Sequence, residues 1–388
     1  MILIKIMKKT FNSIPRGYKL KDRELRLNHI QRVTDITINN SLTNTDEEME
    51  GIIENYIGCM KIPMAIVGPL RLKGSYADGE FCIPICTLEG TLSMSMSRGI
   101  SASNYSGGFT SKHFRQELSR SPIFIFDNLN ELTNFKTWFN NNKSEIIQIA
   151  ERTTNYGKII RIDLFFIHNY IILDFVMSTG NAAGQNMVSL ASQAACDYIY
   201  KKTGYKFFLE SNLNSDKKAS SRNMLLGRGH AVTVETLISD KIMKRVLKID
   251  SDTLMKNWKY YPTVSSMIGT YGNGLHVSNA LTALYLATGQ DTACVAENSI
   301  AHFDMDREEN GIRFKLTLPS LTVGTIGGGT RLAMQKQNLK LIGCDSGKYS
   351  SRKLAEIIAS ATLGLEISLA CAVASHTWTN AHMKYGRK

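Results

Sequence analysis

Residues 159–177 read IIRIDLFFIHNYIILDFVM, which is rich in β-branched and aromatic side chains. This composition predicts two strands, Ile159–Phe166 and Tyr170–Met177. Three further elements surround them: a short strand at Ile123–Phe126, a helical stretch near Glu131–Glu151 and a helix across Met187–Lys202. The order strand, helix, strand, strand, helix is typical of an α+β unit with its helices on one face of an antiparallel sheet.

A long helix is predicted further along the chain, from about Arg352 to His376. Its apolar residues recur at helical spacing: Leu354, Ile357, Ile358, Ala361, Leu365 and Leu369. This spacing indicates one buried face of an amphipathic helix. Residues 1–50 are polar and suggest a helical cap on a larger body, whereas the polar, glycine-containing residues 211–230 suit a crossing loop.

Composition excludes several classes of protein. With 43% hydrophobic and 21% charged residues in 388, the chain is neither disordered nor fibrous. Its seven cysteines include no CxxC pair, which argues against a disulfide framework or a cysteine-rich zinc site. Its eight histidines form no HExxH pattern, so we expect no metal. Charged residues interrupt residues 159–177, and the N-terminal apolar run is too short for a signal peptide, so we expect a cytoplasmic protein outside the membrane.

The chain is basic, with a formal net charge of +12. Its lysines and arginines are spread in ones and twos, without the dense basic run that would favour nucleic acid. Two explanations of the charge stay open. One is a solubilising surface, and the other is a polyanionic cofactor or substrate.

Four polar positions lie at turns or element ends: Glu89, Lys217 in Asp216-Lys217-Lys218, Asp291, and His376 at the end of the long helix. Each could be an ordinary solvated charge, and a histidine at a helix C-terminus is favoured by the helix dipole alone. A carboxylate in apolar surroundings needs a partner, however, and a lysine beside an acid can stabilise an oxyanion or hold a carboxylate.

A glycine turn follows the predicted strand Gly311–Leu318, at Gly324–Thr330, and reads GTIGGGT. Consecutive glycines let the backbone approach a ligand, and free N–H groups can meet phosphates, although a plain tight turn explains the pattern equally well. The turn is neither GxGxxG nor a Walker A loop, so a dinucleotide bound here would need a fold other than the usual Rossmann type.

Taken together, the motifs resemble 3-hydroxy-3-methylglutaryl-CoA reductase in its soluble, eukaryotic or archaeal TxEG form. The matching segments occur in the family's order over residues 50–380: Glu54–Gly58, Ile62-Pro63, Gly68–Leu70, Thr87–Gly90, Ser178–Met187, Asp216–Lys218, Gly227–Gly229, Thr288–Asp291, Gly324–Thr330 and Ser375-His376. The resemblance implies an oxidoreductase that reduces a CoA thioester through a hemithioacetal and an aldehyde to an alcohol, with mevalonate as the expected product.

The resemblance also implies four catalytic residues. Lys217 would stabilise the carbonyl oxygen as hydride arrives, and His376 would protonate the CoA thiolate. Glu89, with a raised pKa, would donate a proton to the aldehyde oxygen. Asp291 would lie between Glu89 and Lys217 and tune both through its charge.

Substrate-binding positions carry over from the family less completely. Those implied are Arg120, Ser211, Asp216, Lys218 and Lys259, of which Arg120, Lys218 and Lys259 would hold the free carboxylate of the acyl group. The family's serine upstream of the lysine pair aligns with Glu210, next to Ser211. An acid is unfavourable beside a carboxylate, so the acyl group could differ from the family's usual one.

The implied cofactor is NADPH, with NADH as the alternative. The family's cofactor turns correspond to Asn181, Gly184, Gln185, Asn186, Gly327, Gly328 and Gly329. Two positions where the family has an arginine near the cofactor phosphate hold Asn155 and Ala381 here. Three other cations could compensate for them: Arg152, Lys158 and Lys384.

The implied fold is α+β, a large α/β domain around a long central helix with a small ferredoxin-like cofactor domain inserted. We predict an N-terminal helical segment at 1–50 and a small cofactor-binding domain at 121–210. The large substrate-binding domain is predicted in two parts, 51–120 and 211–388, and the second part includes a mobile C-terminal segment. A homodimer or higher homo-oligomer with shared active sites is expected. Two rivals remain: a diverged reductase of another acyl thioester, and a non-catalytic acyl-CoA-binding protein.

Overall fold

The computed structural model describes residues 14–15, 17, 19–39, 44 and 46–376. The expectations about Ala381, Lys384 and a mobile C-terminal segment lie outside these residues. The described strands are β1 (Met64–Lys73), β2 (Asp78–Cys86), β3 (Phe109–Arg120), β4 (Ile123–Ile125), β5 (Lys158–Ile167), β6 (Tyr170–Ser178), β7 (Phe207–Phe208), β8 (Gly229–Ser239), β9 (His302–Glu308) and β10 (Gly311–Leu321).

The described helices occur before, between and after these strands. They are α1 (Leu20–Thr34), α2 (Asp46–Met49), α3 (Leu92–Tyr105), α4 (Leu129–Glu151), α5 (Gln185–Thr203), α6 (Ser221–Leu225), α7 (Asp240–Ile242), α8 (Ser251–Trp258), α9 (Tyr261–Met267), α10 (Val277–Thr288), α11 (Val295–Asn298), α12 (Ala333–Leu341) and α13 (Ser350–Ala374). A π-helical turn follows α7 at Met243–Leu247, and 3₁₀ turns occupy Thr292–Cys294 and Gly328–Arg331.

Strand β3 joins two layers of sheet. Its residues 110–117 pair antiparallel with β8, which continues through β10 to β9. Its last residues, Leu118–Arg120, pair instead with β6. Arg120 therefore lies where one layer passes into the other.

The smaller layer has the strand order β7-β4-β6-β5, and every neighbouring pair is antiparallel. The chain order β4-α4-β5-β6-α5-β7 is that of a ferredoxin-like unit. Phenylalanines of β4 and α4 form its core together with one face of α5 (Phe124, Phe135, Phe139, Val188 and Ala195). The predicted α+β fold class is confirmed, while the predicted domain boundaries stay predictions.

Helix α13 runs through the larger hydrophobic core and packs against α3, α10 and the sheet. It is long and apolar enough to pass for a membrane span, but 94% of the apolar window is buried inside the protein. The apolar run Ile357–Ser375 was expected to form a buried helix, and this is confirmed, because neighbouring elements cover α13 on nearly all sides and not only on the face that its apolar spacing indicated. The helix carries two fully buried acids, Glu356 and Glu366.

Both acids accept backbone N–H groups. Glu356 accepts from Ser75, Tyr76 and Ala77 at 2.8–2.9 Å, which holds the turn between β1 and β2. Glu366 accepts from Leu275 at 2.5 Å and His276 at 2.8 Å, at the start of α10. Each carboxylate thus satisfies donors that burial would otherwise leave unpaired.

Glu366 predicts a pH-dependent stability. Burial raises the pKa of Glu366 from 4.5 to about 7, although the two backbone N–H groups oppose the shift. Between these values the folded chain holds a proton that the unfolded chain has released, so the free energy of unfolding falls as pH rises, by about 3 kcal/mol in all. Urea unfolding of wild type and Glu366→Gln across this window checks it. Because glutamine cannot titrate, a stability difference that does not change with pH would contradict the prediction.

Helices α3 and α13 pack antiparallel at very short distance. The side chains of Ser95 and Ser368 are hydrogen-bonded at 2.9 Å, and Gly99 meets Gly364 where the two backbones approach most closely. A Cβ atom on Gly99 would lie 1.8 Å from the carbonyl oxygen of Gly364. The start of α3 therefore faces the C-terminal end of α13.

Candidate active site

Lys217 lies in a strained loop between β7 and α6. Three residues of this loop adopt positive φ without being glycine: Asn212 at 69°, Ser215 at 53° and Lys217 at 56°. Such conformations cost about 1–3 kcal/mol each and persist only where the surroundings impose them. The Nζ atom of Lys217 lies 2.9 Å from Oδ2 of Asp291.

The Lys217–Asp291 pair is charged at neutral pH. The hydrogen bond from Lys217 to Asp291 raises the pKa of the lysine, and this outweighs the opposite effect of partial burial. Burial acts to raise the pKa of Asp291, but hydrogen bonds from Lys217 and the Ala293 N–H outweigh it and hold the pKa below its usual value. Since both side chains are 43% exposed, the ammonium group remains accessible to a ligand.

The predicted substrate-binding residues of the loop surround Arg120. Its guanidinium is paired with Glu210 and lies 3.5 Å from Asp216. Ser211 donates its hydroxyl proton to the Ser121 carbonyl at 2.6 Å, and Nζ of Lys218 donates to the Asp216 carbonyl at 2.9 Å. These residues therefore lie in the same loop region as Lys217. Glu210 is already the ion-pair partner of Arg120.

The two predicted cofactor turns lie side by side. The Thr325 N–H donates to the Asn181 carbonyl at 2.8 Å, and a parallel bridge joins Ala182 to Ile326. Gly184 precedes α5 and has a φ of 89°. A Cβ added to Gly184 would lie 2.2 Å from Cγ2 of Thr179. Only glycine fits this close approach.

Part of the backbone of these turns faces open space. Within 4 Å, a Cβ added at Gly327 or Gly328 would meet no described atom, and Gly329 packs against Gly289. The N-terminus of the 19-residue helix α5 adds a positive dipole end beside them. Glycine turns and a helix N-terminus together suit the pyrophosphate of a dinucleotide.

Gln185 connects the cofactor turn to the Lys217–Asp291 pair. Its side-chain amide contacts Sγ of Cys294 at 2.9 Å, three residues after Asp291. In addition, the Gly324 N–H donates at 2.8 Å to Oε1 of Gln290, which precedes Asp291. The two groups of residues are therefore close neighbours.

The other predicted residues lie towards the C-terminal end of α13. His376 follows this helix with a positive φ of 57°, and Asn257, two residues before Lys259, donates to the Ala374 carbonyl. Ser351, at the opposite end, donates its backbone N–H to Asn181. At 1.5 Å per residue, about 37 Å of helix separates His376 from the cofactor turn.

Glu89 is exposed in the turn just before α3. Its carboxylate has no hydrogen-bond or ion-pair partner among the residues that the structure describes. Asp291 was expected to lie between Glu89 and Lys217. Within one chain, the described residues show its contact with Lys217 but no contact with Glu89.

Comparison with known proteins decides the family. The family model described as hydroxymethylglutaryl-coenzyme A reductase matches residues 22–387. The chain belongs to the hydroxymethylglutaryl-coenzyme A reductase family. The resemblance of the motifs is thereby confirmed.

Named relatives of the family include archaeal and plant proteins. The 3-hydroxy-3-methylglutaryl-coenzyme A reductase of Methanocaldococcus jannaschii is 36% identical over 352 residues, which cover 88% of this chain and 87% of the relative. That of Aeropyrum pernix is 35% identical, with coverages of 86% and 82%. Reductase 3 of Hevea brasiliensis is also 35% identical over 86% of this chain, but only 58% of the plant protein is covered.

A solved structure of the family shares the fold. The class II 3-hydroxy-3-methylglutaryl-CoA reductase of Streptococcus pneumoniae, described as bound to NADPH in open conformations, aligns with a TM-score of 0.72. The alignment covers 92% of this chain and 97% of that chain at 16% identity. At this identity the likeness supports the reductase fold, and the site must be argued from this chain's own residues.

Two residues behind Lys217 were given no role in the site from the sequence, although Arg228 lies within the matching segment Gly227–Gly229. Arg228 and Glu297 are both fully buried and form an ion pair at 2.9 Å. The signal for Arg228 was an arginine between two glycines, and for Glu297 an acid in the apolar run that follows Asp291. Fully buried charges are rare unless paired, so both positions qualified for attention.

Proposed function

We propose that the chain reduces 3-hydroxy-3-methylglutaryl-CoA to mevalonate with NADPH. The observation that carries this proposal is the charged Lys217–Asp291 pair, which lies beside the two adjoining glycine turns. Family membership and the archaeal and plant reductases at about 35% identity support the same activity.

Lys217 is proposed to bind the carbonyl oxygen of the thioester. Its ammonium group stabilises the negative charge that develops on this oxygen, and Asp291 fixes the position of the ammonium group. The glycine turns and the N-terminus of α5 hold the dinucleotide, with Asn181, Gly184, Gln185, Asn186 and Gly327–Gly329 as the contacting residues. When bound, the nicotinamide supplies hydride to the carbonyl carbon.

Substrate recognition is proposed to use Arg120 and Lys218 on the acyl carboxylate, with Ser211 and Asp216 shaping the loop. One observation favours a second candidate, reduction of a different acyl thioester. Glu210 already pairs with Arg120, so a substrate carboxylate must displace this acid or share the guanidinium group. An acyl group without a free carboxylate would leave the pair intact.

A second copy of the chain is proposed to complete the site. Within one chain, about 37 Å of α13 separates His376 from the cofactor turn, and Asn257, two residues before Lys259, contacts the same C-terminal end. A homodimer that brings the C-terminal end of one α13 to the Lys217 loop of its partner would unite the residues. We propose a cytoplasmic location; the burial of α13 bears on this only by arguing against a membrane span formed by that helix.

The assay that tests this function follows absorbance at 340 nm with purified protein and candidate thioesters. We expect oxidation of NADPH with 3-hydroxy-3-methylglutaryl-CoA and far slower oxidation with 3-hydroxybutyryl-CoA, which lacks the terminal carboxylate. A reversed preference would support the second candidate. Absence of oxidation with every acyl-CoA, together with measurable acyl-CoA binding, would support a non-catalytic binding protein.

Cofactor preference gives a prediction specific to this chain. Asn155 is neutral, and Lys158 is paired with Glu151 at 2.9 Å, whereas Arg152 is exposed and has no side-chain partner among the described residues. A charge-assisted hydrogen bond is worth about 1.5–3 kcal/mol, so loss of arginine at Asn155 and Ala381 weakens selection of the 2′-phosphate. We expect kcat/KM for NADH within about tenfold of that for NADPH.

Steady-state kinetics with both cofactors checks this expectation. Asn155→Arg should raise the preference for NADPH, and Arg152→Ala and Lys158→Ala show whether either cation contributes to it. A wild-type preference for NADPH above about a thousandfold would mean that another cation, with Arg152 the first candidate, binds the phosphate.

Two histidines compete for the role of thiolate acid. The resemblance also implies a C-terminal motif, HxxxNR, in which asparagine and arginine follow the histidine by four and five residues. His376 matches it with Asn380 but without the arginine, and His382 matches it with Arg387 but without the asparagine. The family match extends to residue 387 and therefore includes both. His376 also caps the end of α13 through its backbone.

Replacement of each histidine by alanine distinguishes them. The variant that loses the acid should lose reduction of the thioester but keep reduction of a supplied free aldehyde, which releases no thiolate. We expect this pattern for His376→Ala; its appearance in His382→Ala instead would transfer the role to His382. Equal losses on thioester and aldehyde in both variants would exclude either histidine as this acid.

A further inference from the structure

Glu297 holds the backbone of Lys217. The N–H of Lys217 donates to Oε2 of Glu297 at 2.7 Å. Lys217 has a positive φ of 56°, a conformation that costs a residue other than glycine about 1–3 kcal/mol and needs contacts that hold it. The carboxylate thus stabilises the conformation that presents the lysine side chain.

Glu297 is itself fixed from the other side. Its Oε1 accepts from Nη1 of Arg228 at 2.9 Å and from the hydroxyl of Thr322 at 2.6 Å. Glu297 and Arg228 are fully buried. If the carboxylate is lost, these buried donors are therefore left without an acceptor that bulk water could replace.

Arg228 extends the contact to the residue before Lys217. Its Nη1 also lies 3.2 Å from Oδ1 of Asp216, which contacts Arg120 as well. The loop is consequently attached through the side chain of Asp216 and through the backbone of Lys217. Both attachments converge on the buried Arg228–Glu297 pair.

The same short segment also carries Asp291. Residues 291–298 comprise the 3₁₀ turn and α11, with Asp291 at one end and Glu297 near the other. Asp291 contacts the Lys217 side chain at 2.9 Å, while Glu297 contacts its backbone at 2.7 Å. Residues 291–298 therefore contact Lys217 at two places, its backbone N–H and its ammonium group.

We infer that Glu297 is a positioning residue for the reaction, which holds Lys217 through its backbone against the buried Arg228. This inference rests on the proposed function of Lys217. Displacement of a reacting group by 1 Å can cost about a hundredfold in rate, so loss of this hold should lower kcat even though Glu297 touches no substrate.

Glu297→Gln is the decisive variant. All three partners of the carboxylate are donors, so the amide nitrogen of glutamine must face a donor and break one contact. We expect kcat to fall at least about tenfold, with KM for the cofactor little changed. Glu297→Asp retains the charge and should recover part of kcat.

Glu356→Gln is the matched control. Glu356 is equally buried and also accepts from three donors, but these are backbone N–H groups of the turn between β1 and β2. It should lose stability to a similar degree in urea unfolding and keep kcat near the wild-type value.

Two results would overturn the inference: unchanged kcat in Glu297→Gln, or an equal fall of kcat in both glutamine variants, which would mark a general effect of destabilisation. The proposed function fails in a different way, through a wild-type protein that oxidises no cofactor or a Lys217→Ala variant with normal turnover. If Lys217→Ala is inactive and Glu297→Gln is fully active, only the positioning role is wrong.

Discussion

Replacement of Lys217 by alanine is expected to lower kcat for reduction of the thioester by at least ~100-fold, since loss of one oxyanion donor costs about that much. The structure adds a reason, because the alanine variant also leaves the carboxylate of Asp291 without its ion-pair partner. Substrate binding should suffer less, as Arg120, Lys218 and Lys259 remain. Steady-state kinetics with saturating cofactor separates kcat from KM.

Lys218→Ala is the natural control for this prediction. Lys218 is the adjacent lysine, but its ammonium group contacts only the Asp216 carbonyl in the described structure. Its loss should raise KM for the acyl-CoA more than it lowers kcat. Near-normal kcat in Lys217→Ala would refute the assignment of all four catalytic positions, because they share one origin.

Gly99→Ala is expected to lower the free energy of unfolding by about 3 kcal/mol, the upper part of the usual range for overpacking. Alanine would otherwise stabilise a helix by about 1 kcal/mol relative to glycine. Here the new Cβ would lie 1.8 Å from the Gly364 carbonyl oxygen, which belongs to the backbone and cannot turn away. Helices α3 and α13 must therefore separate.

Gly364→Ala tests the same contact from its other side. Its Cβ would lie 2.8 Å from Cγ1 of Ile100, a side-chain atom that can move. Urea unfolding should therefore show a smaller loss for Gly364→Ala than for Gly99→Ala. Equal losses would mean that the space between the helices is not what limits stability.

The local sequence pattern was sufficient to predict the strands and helices of the smaller sheet. The apolar runs at 159–177 became β5 and β6, and the helices predicted at Glu131–Glu151 and Met187–Lys202 begin two residues earlier in the structure. These elements contact one another within a short stretch of chain, so their periodicity reflects their actual environment. The larger sheet, by contrast, pairs strands such as β3 and β8 that lie far apart in sequence.

The site was predictable in residue type but not in arrangement. Motif resemblance predicted Lys217 and Asp291, and the structure brings them together. Sequence spacing says nothing of the positive φ of Lys217 or of Glu297 behind it, because both depend on tertiary contacts. Nor does it show that His376 and Asn181 lie at opposite ends of one helix.

The position of α13 in both chain and core has a consequence for folding during synthesis. The smaller core is complete once residues up to Ile199 have emerged, since all of its buried members lie between Leu118 and Ile199. Helix α3, in contrast, waits for its partner until residue 350 or later. At about 5–20 residues per second this delay is roughly 13–50 s, during which the apolar face of α3 lacks its cover. Burial of this face of α3 against α13 is therefore among the last steps in forming the larger core.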